Sequence, residues 1–448
     1  MRLAKRVTYW ELLRDNESFR KLWLGQLVSN LGDWFSTIAI YGIIIQLSGS
    51  GQAIAGVIIA KMLPNFFVGP YAGVIVDRFD RKKIMIWSDI LRGVLALGFI
   101  FLSKPEHLWI AYFLMILQTL LASFFEPARN AVIPNITKRS EIVAANALAG
   151  STWSAMLAIG AAIGGAATAL LGIQTAFIID AGTFMLSAYF IWTIPSLKAK
   201  DDELRKESGA GFSQLVEGIK YIKDDVYKIG LLFVKPGLAL SGGILTLFPF
   251  FAEKIMLTPL LSTTAGLGLL YASRGVGAFI GPIFVRKYFG ESPRIMRRTI
   301  GFGYLVISIS FILFSQAPNI WIGSLFVMTG TFGGACIWFF STTLIHIEVE
   351  DRYRGRFFAL ELSIFTLIIS ISTVIVGWSL DNLPLTAREV GFRLALVPII
   401  PSLLWFIFLF SYKKRRGNKT SGKNWSAVHG LASITEGSEL PPSDIVED

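Results

Sequence analysis

Cysteine is almost absent from this chain of 448 residues. The single Cys336 excludes an intrachain disulfide and leaves a Cys-ligated metal site without its ligands. Histidine is nearly as scarce, and His107, His346 and His429 are too scattered to form a ligand cluster. Charge is thin as well: 16% of residues are charged, against about 25% in an ordinary soluble domain. No H-E-x-x-H or G-x-S-x-G motif occurs. The run G-N-K-T-S-G-K at 417–423 imitates a phosphate loop, but Asn424 stands where Mg²⁺ needs Ser or Thr, and no strand precedes it. These gaps argue against a soluble enzyme, a disulfide scaffold and a chain that hydrolyses ATP itself. No cofactor and no metal are expected.

What the chain has is apolar sequence, 53% of its residues. It falls into runs of the roughly 20 residues that a membrane-spanning helix needs. Twelve spans are expected, at 22–47, 54–76, 84–103, 108–127, 143–171, 174–195, 229–252, 260–285, 298–316, 320–345, 357–380 and 394–412. The fold class is therefore an all-α membrane protein. Of the 42 Lys and Arg, four fall inside spans (Lys61, Arg92, Lys235, Arg274) and four in the loops of one side (Lys104, Lys254, Arg388, Arg393). All the others lie in the loops and termini of the opposite side. Excess positive charge marks the cytoplasmic side, so both termini are expected there, in a plasma membrane. The formal charge of +11 is then a topology signal, and nucleic acid is not an expected partner.

Five regions follow: a cytoplasmic amphipathic lead-in over 1–21, six spans over 22–195, a charged cytoplasmic linker over 196–228, six more spans over 229–412, and a polar, disordered tail over 413–448. No signal peptide is expected, because the first apolar run is too long and lacks a small-residue cleavage site. The two halves repeat weakly. Gly73-Val-Ile-Val-Asp77-Arg78 closes the second span, and Gly281-Pro-Ile-Phe-Val285-Arg286 closes the eighth. A duplicated six-helix unit places a solute path between its copies near the midplane.

The run GVIVDRFDRKK from Gly73 to Lys83 resembles the loop motif G-x-x-x-D-R-x-x-R-K of the major facilitator superfamily. RKLWLGQLVSNLGDWFS at 20–36, FFEPARNAVIPNI at 124–136 and RGRFFAL at 354–360 resemble its macrolide-efflux and enterobactin-exporter branch. The similarity covers about 8–413. There are two departures. Asp80 replaces the usual Gly of the loop motif. The fifth span reads Gly160-Ala-Ala-Ile-Gly164-Gly165, without the Pro of the antiporter motif, which keeps import open beside export. The resemblance implies two pseudo-symmetric six-helix halves, a first helix lining a central cavity, and transport of a small molecule coupled to protons.

Ionisable residues inside spans are costly and become functional candidates. Gln26, Asn30, Asp33, Thr37 and Tyr41 recur at steps of three and four, so they share one face of the first span. Asp33 lies near mid-span and is the candidate proton or cation binder. Arg274, also near mid-span, could pair with Asp33 or bind an anion. Lys235 is a third binding candidate, and Lys61 and Asp180 lie nearer the outer side. Gly73, Asp77, Arg78, Arg81, Lys82, Asp89, Arg92, Glu126, Arg129 and Glu361 are expected to form a charged gate at the cytoplasmic ends, with Asp89 and Arg92 paired at i, i+3. The expected activity is export of an amphiphilic drug or siderophore by alternating access. A nutrient importer or facilitator, and a lipid-handling or sensing protein without flux, are the alternatives. The expected partners are the substrate, protons and lipid. Oligomeric state is unreadable, with a monomer as the default.

Overall fold

The computed structural model describes residues 7–138, 140–195, 222, 225–255, 262–290 and 292–420. The linker expected over 196–228 lies largely outside them, as does the chain beyond 420. Two compact units divide at Leu403 and Leu404, and everything below concerns the first. In the second, residues 404–420 are helical.

Short polar loops separate most helices, and many of them supply the cap of the helix that follows. A side-chain oxygen at the N-cap satisfies one of the orphan N–H groups of the first turn. Thr8 caps α1 (Tyr9–Asp15) in a reciprocal box with Glu11, and Asn16 caps α2 (Glu17–Ser48). Ser50 caps α3 (Gly51–Arg78), and Asp80 caps α4 (Arg81–Gly98) by accepting from the N–H groups of Lys82 and Lys83. The Asp80 departure from the loop motif thus has a local function. The lead-in is not one amphipathic helix over 8–21. It breaks at Asn16 because two caps lie eight residues apart, and residues 17–21 join the first span.

Helix α5 (Leu108–Ile136) runs well past the expected span and absorbs much of the loop expected at 128–142, which makes Arg129 helical. The fifth crossing is α6 (Ile142–Ala155), a π-helical turn at Met156–Gly160 and α7 (Ala161–Leu171). It joins α8 (Ile173–Trp192) through Gly172 alone, whose φ of 88° only glycine adopts cheaply.

The second half begins with a broken helix, α9 (Val226–Leu232), α10 (Val234–Ala239) and α11 (Ile244–Phe250). Its break at Gly242 and Gly243 is held by Ser372, which accepts from Gly243 N–H at 3.1 Å and donates to the Leu240 carbonyl at 2.6 Å. Then follow α12 (Thr263–Phe289), α13 (Pro293–Gln316), α14 (Ile320–Glu348), α15 (Asp351–Asn382), α16 (Ala387–Leu396) and α17 (Ile399–Thr420). Among the described residues, eleven helical segments are long and apolar enough to cross a membrane, and the interrupted helix through Met156–Leu171, shorter in its apolar part, fits the place of the expected fifth span. Large apolar side chains such as Phe101, Trp109 and Leu170 are mostly exposed on the flanks, as a lipid-facing surface requires.

In the first half, α2 packs on α7 and α8, and α4 on α5 and α8. In the second, α14 packs on α12 and α13, and α15 on α10. Two seams join the halves: α3 against α15, and the fifth crossing against α12. Small residues set both. A Cβ on Gly268 would lie 2.7 Å from the Gly165 Cα, and one on Gly51 would lie 2.7 Å from the Gly377 carbonyl oxygen. Side-chain-free contact of this kind lets helix backbones meet in lipid. At the α3–α15 seam the Asp381 carboxylate accepts from Ser50 Oγ at 2.6 Å, Gly51 N–H at 2.6 Å and Gln52 N–H at 2.9 Å. These contacts seal the end of the bundle opposite to the basic loops.

Candidate functional site

Toward the basic end the first half opens into a cavity of about 580 Å³ lined by α2, α4, α5 and α6. Gln26, Asn30 and Asp33 line it from α2, Arg92 from α4, and Glu126 and Arg129 from α5. That volume suits a drug-sized molecule. The side chain of Asp33 is 43% exposed at the inner wall, and its carboxylate is held by Arg92 Nη2 at 2.9 Å. Arg92 is itself wedged between the ring of Phe184, 4.2 Å away, and Asp89, whose Oδ1 is 3.8 Å from Nη1. Asp89 is fully buried and accepts from Ser187 Oγ at 2.6 Å. The expected i, i+3 pair of Asp89 and Arg92 exists, but Asp33 on another helix is the nearer partner. Nearer the mouth, Glu126 and Arg129 pair at 2.6 Å.

The polar face of α2 divides along its length. Gln26, Asn30 and Asp33 reach the cavity. Thr37 lies beyond it, donating to the Asp33 carbonyl at 2.6 Å and accepting from Lys61 Nζ at 2.5 Å. Tyr41 does not line the cavity. It is buried and stacks on Tyr271 with centroids 6.0 Å apart, beside Trp34 and Phe248. This aromatic knot continues the seam between α2 and α12.

Arg274 is not the partner of Asp33. It stands beside Tyr271 and Tyr41 and makes no ion pair among the described residues. Lys235 does not reach for the membrane surface. It is 4% exposed, pairs with Glu361 at 2.7 Å, and lies 4.7 Å from the ring of Trp338 and 5.2 Å from that of Phe358. Glu361 therefore belongs to a closed pair in the second half and is not joined to the charges around Arg92.

Arg81 Nη1 donates to the Ala131 carbonyl at 3.2 Å and Lys82 Nζ to the Ile194 carbonyl at 2.5 Å, so this end of α4 is pinned to α5 and to the end of α8. Arg78 is exposed. Gly73 and Asp77 are helical, but their surroundings lie outside the described residues. Asp180 lies deeper than its place in the sequence suggests. It is 1% exposed and accepts a hydrogen bond from Ser36. The signal was an acid in an apolar run, and only the packing of α8 on α2 reveals its neighbours.

A bundle of membrane-crossing helices in two halves, sealed at one end and open at the other onto a charged cavity, defines a multi-pass transporter. A profile of the Major Facilitator Superfamily matches residues 22–373, and the chain belongs to that family. It is a transporter and not an enzyme. It is 28% identical over 376 residues to a candidate bacilysin exporter, BacE, of Bacillus subtilis (strain 168), covering 82% of this chain and 89% of the relative. It is 22% identical over 378 residues to macrolide efflux protein A of Streptococcus pyogenes, covering 82% and 90%. A mutant of the nucleoside transporter NupG has the same fold, with a TM-score of 0.70 at 13% identity, covering 88% of this chain and 100% of that one.

Proposed function

We propose that this transporter exports an amphiphilic small molecule from a bacterial cell in exchange for inward-moving protons, by alternating access of its two halves. The basic loops then face the cytoplasm, with both termini on that side. The observation that carries the reading is the cavity: it opens at the basic end, is closed opposite, and ends on the carboxylate of Asp33. A carboxylate exposed at the inner wall favours a substrate with a cationic group, while the apolar remainder of the molecule meets the wall around Phe125. The names of the two relatives, one a candidate exporter and one an efflux protein, support outward transport.

The loop from Gly73 to Lys83, with Asp77, Arg78, Arg81 and Lys82, is the proposed inner gate, and the Glu126–Arg129 pair guards the same mouth. Purified protein in liposomes under an imposed pH gradient tests the reading. Cationic, neutral and anionic amphiphiles are added in turn while proton movement is followed. Proton flux triggered by a cationic amphiphile such as erythromycin, and cut at least roughly tenfold by Asp33→Asn, is expected; that factor corresponds to about 1.4 kcal/mol of lost interaction. No proton flux with any class of compound overturns the reading.

A further inference from the structure

Five ionisable side chains meet in the interior of the first half. Asp33 comes from α2, Lys61 from α3, Asp89 and Arg92 from α4, and Asp180 from α8. Three are acids and two are bases, so full ionisation leaves one negative charge uncompensated. A buried charge without a partner is neutralised by a proton rather than held. The question is which acid takes it.

The three acids are not equally served. Asp33 has Arg92 at 2.9 Å and a face open to the cavity. Asp89 has Arg92 at 3.8 Å and the Ser187 hydroxyl at 2.6 Å. Asp180 makes no ion pair among the described residues. Its Oδ2 accepts from Ser36, and its Oδ1 is buried without a hydrogen-bond partner, so near α2 that a Cβ on Gly32 would lie 2.5 Å from it. The facing elements add no other charge: α7 and the turn at Phe99–Phe101 present only uncharged side chains.

We infer that Asp180 holds the proton in this conformation, and that its release draws Arg92 from Asp33 to Asp180 and leaves Asp33 free to bind a substrate ammonium. Three observations point the same way. The guanidinium of Arg92 already rests on Phe184, one turn along α8 from Asp180. Its Nε is a buried donor without a hydrogen-bond partner; Oδ1 of Asp180 and Oδ1 of Asp89 both lack one too, but only that of Asp89 already has the guanidinium within 3.8 Å. Lys61, donating to Thr37 one turn from Asp33, is the second base of the cluster and lies near both Asp33 and Asp180 without an ion pair to either among the described residues. The cluster lacks one positive charge, and either a proton on Asp180 or a substrate cation on Asp33 supplies it. The two then exclude each other, which couples one proton to one positive charge of substrate. This role rests on the export reading above.

The test reads the proton directly. Infrared difference spectra of the purified, substrate-free protein across a pH titration are recorded for the C=O stretch of a protonated, buried carboxylic acid. One such band is expected in the wild type. It should be absent at every pH in Asp180→Asn. In Asp33→Asn and Asp89→Asn, each of which balances the cluster at two acids and two bases, it should remain assignable to Asp180 but disappear at a lower pH than in the wild type. Asparagine has the shape of the neutral acid, so Asp180→Asn should fold; an unchanged melting temperature in detergent confirms it. A band that survives Asp180→Asn, a band that titrates at the wild-type pH in both Asp33→Asn and Asp89→Asn, or no band in the wild type overturns the assignment. Erythromycin-driven proton flux is read separately in the same preparations. A band specific to Asp180 with no flux in the wild type from erythromycin or from any other class of amphiphile overturns the exchange role and the export reading while leaving the proton site. Flux without the band overturns the site alone.

Discussion

The Asp381 latch makes the sharpest prediction. Its carboxylate accepts three hydrogen bonds from the start of α3, two of them from N–H groups of the first turn, where the helix dipole also favours negative charge. Hydrogen bonds to a charged group are worth about 1.5–3 kcal/mol each when buried. Asp381 is exposed, so water replaces much of what is lost, and a net of about 2 kcal/mol for the whole latch is the fair figure. That free energy favours the sealed arrangement only, because α3 and α15 must part for that end to open. Asp381→Ala should therefore raise the population open at that end about thirtyfold. The assay is alkylation of a single cysteine by a membrane-impermeant maleimide. Cys336 is replaced by Ser, and Thr264, 6% exposed and packed where α12 meets Gly42 of α2, is replaced by Cys. Labelling from the sealed side should accelerate in Asp381→Ala. An unchanged rate in folded protein, or an equal acceleration at a site on the basic end, would refute the latch.

Two further outcomes follow from packing and charge. Lys235→Met leaves Glu361 as a lone buried acid and should lower stability by about 3–5 kcal/mol, whereas Lys235→Met with Glu361→Leu should recover most of it; melting curves in detergent decide, and equal losses in single and double variants would contradict the pairing. Gly268→Val puts a Cβ 2.7 Å from the Gly165 Cα and 2.9 Å from the Ala161 carbonyl oxygen, so it should block the sealed state and abolish transport at normal expression. Transport retained within about twofold, a difference of only ~0.4 kcal/mol, would count against that seam.

The order of the crossings was legible because most depend on local sequence: an apolar run of the needed length and, for many, a capping residue before it. Local sequence was less informative where a helix outlasts the hydrocarbon. Helix α5 continues through Pro127 and Pro134 to Ile136, and the polar residues there read as a loop although they line a cavity. The halves of the polar face on α2 were also indistinguishable in one dimension. Spacing placed Asn30, Asp33, Thr37 and Tyr41 together, and only the approach of α12 turns Tyr41 into a seam residue while Asp33 stays open.

Partners of buried charges were the least legible, since a partner is a property of two helices. Arg92 had an obvious mate at i−3, yet α2 brings Asp33 closer. Lys235 and Glu361, 126 residues apart, find each other across α10 and α15. This pairing leaves the two halves unequal. In the second half Lys235 and Glu361 cancel inside a buried contact under Trp338. In the first, three acids share two bases beside open space. A balanced, enclosed pair has no vacancy for a ligand to fill, whereas an unbalanced cluster must take up a cation from somewhere. On the proposed exchange, the charge that moves between states belongs to this unbalanced cluster of the first half.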